Sequence, residues 1–177
     1  MKLLFNRMIR ATKLDLTFYD EIVNDPTSQG HSVWVVALLA MATGYGMFSR
    51  AGGTAVNVCL AVTFFSWYIW AFTVYYASNH FFGATPSRMD RKTVLRVMAF
   101  ASAPGVLRFL GVIPHISLIV FIGTSVWIIL AGAIGLKKVY QLTHIGKALI
   151  LCSATWLVVL FVQIFFMIMF FSVFGVA

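Results

Sequence analysis

Acid is what this chain has least of. Its 177 residues contain thirteen Lys and Arg but only five Asp and Glu, at Asp15, Asp20, Glu21, Asp25 and Asp90. None of the five lies inside a long apolar stretch. Ion-coupled pumps, proton relays and intramembrane proteases normally need a carboxylate at membrane depth, so those classes are disfavoured. No HExxH, P-loop, GxSxG or CxxC pattern is present either. With no catalytic set to assemble, the chain reads as a non-enzyme that requires no cofactor. Only two cysteines occur, Cys59 and Cys152. Their positions in separate spans predict opposite leaflets, beyond the ~7 Å Cα separation a disulfide tolerates. A cleaved leader is not expected, because Arg7, Arg10 and Lys13 interrupt any apolar h-region.

What the chain has is grease. Hydrophobic residues make up 61% of it, charged residues 10%, and the mean hydropathy is +0.93. Such a balance belongs to a membrane protein, and the length allows about five spans of ~20–25 residues. Four long runs carry no Lys, Arg, Asp or Glu: Ser32–Ser49, Ala51–Ser87, Phe109–Leu136 and Ala148–Ala177. The expectation is an all-α polytopic protein with spans at about 32–48, 54–78, 93–113, 116–136 and 148–174. Residues 1–30 would form cytoplasmic amphipathic helices and residues 31–177 the five-helix membrane domain. Arg50–Gly53 reads as a tight external turn. A cytoplasmic N-terminus leaves only Arg50 and Arg108 of the thirteen cations toward the other side, a strong positive-inside bias that puts the C-terminus outside. The net charge of +8 is therefore assigned to topology, and no nucleic-acid partner is expected.

Lys92–Pro114 differs from the other membrane-length segments because it holds Arg96 and Arg108. Eleven residues between two arginines rise only about 16 Å, roughly half of a ~30 Å hydrocarbon core. Either the arginines snorkel to opposite interfaces or neighbouring helices enclose them. Pro104 removes an amide donor and orphans the carbonyl of Phe100, a defect tolerated where packed helices or water satisfy it. This segment is read as the kinked, buried centre of the bundle. Arg96, Phe100, Pro104, Arg108 and the solitary Gln163 of the last span are the candidate ligand contacts.

Elsewhere, Lys2, Arg7, Arg10 and Lys13 cluster opposite Leu4, Phe5, Met8 and Ala11 on a helical wheel. That arrangement suits an anionic lipid surface, or is simply a basic topology flank. Thr17 is the expected cap of a second short helix, with Asp20 three residues on. Trp67, Tyr68, Trp70, Phe72, Tyr75 and Tyr76 suggest an interfacial aromatic belt. Ala40 with Gly44, Ala42 with Gly46, and Ala131 with Gly135 stand at small-xxx-small spacing, which permits close helix packing. His31, His80 and His144 fall near the cytoplasmic boundary without metal-ligand spacing, so no metal is assigned.

The order of several short motifs resembles the bacterial branch of the Yip family, the Ypt/Rab-interacting five-span membrane proteins. Leu14-Asp15-Leu16-Thr17-Phe18-Tyr19, Phe82-Gly83-Ala84-Thr85, Phe100-Ala101-Ser102-Ala103-Pro104, Trp127 with Ala131-Gly132, and Gly146-Lys147-Ala148 carry the resemblance. Phe100 stands where the family often has Tyr. The resemblance implies a non-enzymatic protein of membrane organisation or trafficking, in the bacterial inner (cytoplasmic) membrane, and it brings no catalytic residues. Expected partners are anionic headgroups on the cytoplasmic side and either a second copy or another protein. The alternative is a small transporter or channel for lipid or an anionic solute, built on Arg108, Pro104 and Gln163.

Overall fold

The computed structural model describes residues 2–46, 48–82 and 90–174, and among them it is helical without a strand. Helix α1 covers Lys2–Thr12 and α2 Leu16–Asn24. A short 3-10 turn, Pro26–Ser28, leads into α3 at Gln29–Gly46, followed by α4 at Phe48–Phe82. Helix α5, Arg91–Ala101, continues as a 3-10 helix over Ala103–Val112. Helices α6, Ser117–Val139, and α7, Ile145–Phe174, complete the chain.

Among the described residues four helices are long and apolar enough to cross a membrane: Val56–Phe82, Arg91–Val112, Ser117–Val139 and Ile145–Phe166. The expected first span is not among them. Gln29, His31 and other polar residues dilute α3, whose 18 residues begin three positions earlier and end two earlier than anticipated. Helix α4 also differs, because it runs through Arg50–Gly53, where a turn was expected. The most enclosed of the four is Arg91–Val112, 72% buried against 22% to 39% for the rest.

Pro104 does not merely bend that segment; it changes the kind of helix. Without an amide hydrogen at 104 the i→i−4 ladder fails, and the chain tightens: Ser102 N bonds the carbonyl of Ala99 at 3.1 Å and Gly105 N that of Ser102 at 2.9 Å. A 3-10 helix rises about 2.0 Å per residue instead of 1.5 Å, so ten such residues add about 5 Å of reach. Gly105 keeps the tightened segment close to its neighbours, since a Cβ there would overlap Leu39 of α3 and Ile128 of α6.

Helix α1 ends in a left-handed residue, Leu14 at φ 59°. Leu14 N bonds the Ala11 carbonyl and Asp15 N that of Arg10, the two crossed bonds that close a helix C-terminus. Gln141, at φ 49°, ends α6 in the same way: its N–H bonds the Lys138 carbonyl and that of Leu142 the Lys137 carbonyl. The cap of α2 is Asp15, not Thr17: its carboxylate accepts from the amides of Thr17 and Phe18. A carboxylate two residues upstream reaches the first free amides of the helix, whereas the Thr17 hydroxyl is occupied donating to Asp15.

Residues 2–30 pack into the core of the membrane helices. Met8, Ala11, Phe18, Tyr19 and Ile22 share one core with Val97, Phe100, Leu136 and Val139. Trp67 and Trp70 also depart from the aromatic belt. Trp70 is fully buried, edge-on to Trp156 at 5.3 Å, and Trp67 donates its indole N–H to Ser102 Oγ at 3.0 Å. Together with Thr63, Ser66 and Val74 they fall on one buried helical stripe, with Trp67 meeting the third segment and Trp70 meeting α7. Tyr68 and Tyr76 remain exposed.

Candidate functional site

The cations of the third segment organise two separate places. At its start, Arg96 is almost fully buried, and its guanidinium closes the C-terminus of α2. Nη1 donates to the carbonyl of Asp25, and Nη2 to that of Val23 at 3.2 Å and to Thr93 Oγ1 at 3.2 Å. Those carbonyls belong to the last turn of a helix, where no intrahelical partner exists and a cation is favoured. Phe100, one turn further on, receives the edge of Phe18 at 5.4 Å between centroids. Tyr19 packs where Gly135 leaves room: a Cβ there would overlap Val97 and approach the Tyr19 ring to 3.2 Å. Arg96 and Phe100 therefore hold the N-terminal helices.

The hairpin formed by α1 and α2 is balanced in charge, with Lys2, Arg7, Arg10 and Lys13 against Asp15, Asp20, Glu21 and Asp25. Arg7 is buried, donating to Asp25 Oδ2 at 2.6 Å and to His31 Nδ1 at 2.9 Å. Arg10 reaches Asp15 at 2.9 Å and Glu21 at 2.6 Å and lies 5.3 Å from the Phe18 ring centroid. Bonds from the Thr17 hydroxyl and from Arg10 depress the Asp15 carboxyl to about 2. Asp25 is likewise lowered, mainly by the Thr27 hydroxyl, and Arg10 is raised by Asp15 and Glu21. Two of the four cations expected to meet lipid headgroups, Arg7 and Arg10, thus point at the protein's own acids. The apolar Leu4, Met8 and Ala11 turn inward too, leaving Lys2, Lys13, Leu3, Phe5 and Ile9 outside.

This hairpin runs along α6 rather than across its end. The indole N–H of Trp127 donates to the carbonyl of Thr12 at 3.0 Å, and Lys138 pairs with Asp20 at 2.7 Å. Eleven residues of α6 between those contacts span about 16 Å. The turn between α1 and α2 therefore lies near the middle of α6.

At the other end of the third segment, Arg108 is buried, and among the described residues no carboxylate pairs with it. Nε donates to Thr124 Oγ1 at 3.2 Å and Nη2 to Ser125 Oγ at 3.0 Å. Its charge sits over the rings of Phe121 and Trp156, 4.6 and 5.7 Å from their centroids. Gly46 permits this: its missing side chain leaves room for the Arg108 carbonyl, which a Cβ would overlap. Gly44 plays the same part toward Val56 and Leu60 of α4, and Ala131 is buried in α6. One cavity of about 140 Å³ lies against Arg108 between Thr43, Gly46, Gly111 and Ser117. A second, about 20 Å³, joins Arg108 to Gln163, Thr63, Ser66 and Ser102. Arg108 and Gln163 thus come together, while Arg96 and Phe100 stand apart from them, and Pro104 is buried between the two places.

Sequence reasoning overlooked Thr63, Thr124, Ser125 and Trp156. Small hydroxyl residues in apolar helices usually bond their own backbone, as Thr124 and Ser125 also do here. Only the pairing with Arg108 distinguishes them. His31 sits at Arg7, His80 against Phe81, and His144 is exposed. Among the described residues no three of His, Cys, Asp and Glu gather.

The architecture is that of an integral membrane protein made of apolar helices around a cationic, 3-10-wound central segment. A family model, the Yip1 domain, matches residues 15–172. The chain belongs to that family. No curated protein and no solved structure matches it.

Proposed function

We propose that the protein is a non-enzymatic scaffold or partner-binding module of membrane organisation or trafficking, set in the bacterial inner membrane with α3 as its first of five spans. Eighteen residues of α3 reach about 27 Å, enough for a span with polar ends. The charge asymmetry supports an N-terminus in the cytoplasm and a C-terminus outside. Membership of the Yip1 domain family supports the non-enzymatic reading.

One observation carries the partner-binding role. Arg91, Lys92, His144 and Lys147 are exposed at the cytoplasmic ends of α5 and α7, and none joins an ion pair among the described residues. The hairpin's acids are meanwhile taken by Arg7, Arg10 and Lys138, so they do not quench these cations. An exposed basic surface on rigid helix ends suits an acidic protein or anionic headgroups. A transporter of lipid or an anionic solute is the second reading, supported by the cavities at Arg108.

The test is purification of the full chain in mild detergent after cross-linking, with tags at both termini first reporting opposite compartments. One stoichiometric protein should accompany the wild type and be lost from the Arg91→Gln, Lys92→Gln, Lys147→Gln variant. Recovery of a specific lipid with no protein would discard the scaffold in favour of the transporter. Tags in one compartment would discard the five-span topology.

A further inference from the structure

We propose that Arg108 and the cavity beside it bind a phosphate group, entering where α3 ends and α6 begins. The site deepens neither the scaffold reading nor its basic surface; it names a ligand for the cavity that a transporter would use, and it requires no flux.

Burial is the first argument. An arginine stays protonated, and an enclosed guanidinium is costly unless an opposite charge or a full set of acceptors meets it. Arg108 is 6% exposed and no carboxylate approaches it. Its five N–H donors find only two acceptors among the described residues, Thr124 Oγ1 and Ser125 Oγ. Three donors are left on a side chain that lines both cavities. The hydroxyls of Thr124 and Ser125, themselves donating to backbone carbonyls, fix the guanidinium plane. A guanidinium so held presents a planar fork, which matches two oxygens of a phosphate.

Shape is the second. The larger cavity, about 140 Å³, is several times the space one water needs. Gly46 and Gly111 meet along its wall, where a Cβ on Gly46 would overlap the Arg108 backbone, so the end of α3 packs directly against the segment that carries Arg108. Leu118, at the lipid-facing edge, is exposed, so an acyl chain attached to the phosphate has an apolar way out. In the inner cavity Thr63 Oγ1 is buried without a hydrogen-bond partner, a further polar group lining the same space as Arg108.

The experiment uses the full chain in detergent and reads the thermal midpoint during titration with dihexanoyl phosphatidic acid, inorganic phosphate or dihexanoylglycerol. Phosphatidic acid should raise the midpoint and dihexanoylglycerol should not. Arg108→Gln should weaken the apparent affinity about tenfold or more, the size expected for a lost charged hydrogen bond, and the cavity-filling Thr43→Leu should weaken it at least as much by occupying the ligand's space. An equal response to inorganic phosphate assigns the site to the free anion, and a response to phosphatidic acid alone assigns it to lipid. Both uphold the proposal. No response in the wild type, or responses unchanged in Thr43→Leu, would overturn it. Thr43→Leu keeps the arginine and so decides the matter even if Arg108→Gln does not fold.

Discussion

Replacing Arg96 by Met should release the N-terminal hairpin from the bundle. Arg96 donates to two carbonyls at the end of α2, and each such bond to a charged donor contributes about 1.5–3 kcal/mol. Losing both removes about 3–6 kcal/mol and leaves the two carbonyls without their donor. Methionine fills similar space and spares the desolvation of a guanidinium, which offsets a good part of that loss. A net weakening of about 2 kcal/mol raises the undocked population about thirty-fold. Because local opening governs amide exchange, the amides of Leu16–Asn24 should lose protection by the same factor in hydrogen-exchange mass spectrometry of the detergent-solubilised protein. Arg96→Lys should fall between, since an ammonium lacks the fork that spans two carbonyls. Exchange of α2 within about twofold of wild type in Arg96→Met would refute the argument and leave the docking to the buried Phe18, Tyr19 and Ile22 and to the contacts with Trp127 and Lys138.

Acidification should loosen the same hairpin, but only late. Asp15 and Asp25 are held below their ordinary values, so their contribution is complete above about 4 and fades as pH falls through the depressed values, about 2 for Asp15. Spin labels at Lys13 and Gly123, which share one groove, should keep a narrow distance distribution from pH 7 to 5 and broaden below 4. Broadening already at pH 5 would contradict the assignment. Among the glycines, Gly46→Ala and Gly135→Ala should each destabilise by about 1–3 kcal/mol, because their Cβ atoms meet backbone or the stiff Val97. Gly123→Ala meets nothing and should be neutral or gain up to about 1 kcal/mol, so equal thermal shifts for all three would sink the packing argument.

Much of the site was hidden because apolar helices carry little directional information. In α4 and α7 nearly every position is apolar, so no periodicity marks which face turns inward; Trp70 and Trp156 look as suited to an interface as to a core. The hairpin's pairing was hidden differently. Arg7 and Asp25 are 18 residues apart, and a helical wheel for α1 cannot see the acids of α2. The matching count of acids and bases over residues 2–25 was the available signal.

Composition alone settled that this is a helical membrane protein, because nothing else tolerates so much apolar surface with so few charges. Residue order settled its family and singled out Lys92–Pro114, since two arginines and a proline are conspicuous in an apolar chain. Tertiary structure alone decided what those arginines meet: Arg96 takes the loose end of α2, and Arg108 takes two hydroxyls and a cavity. The reason is physical. A buried charge is defined by the partners that satisfy it, and here every partner outside its own helical turn comes from another helix, brought close by glycines and by the 3-10 turn after Pro104.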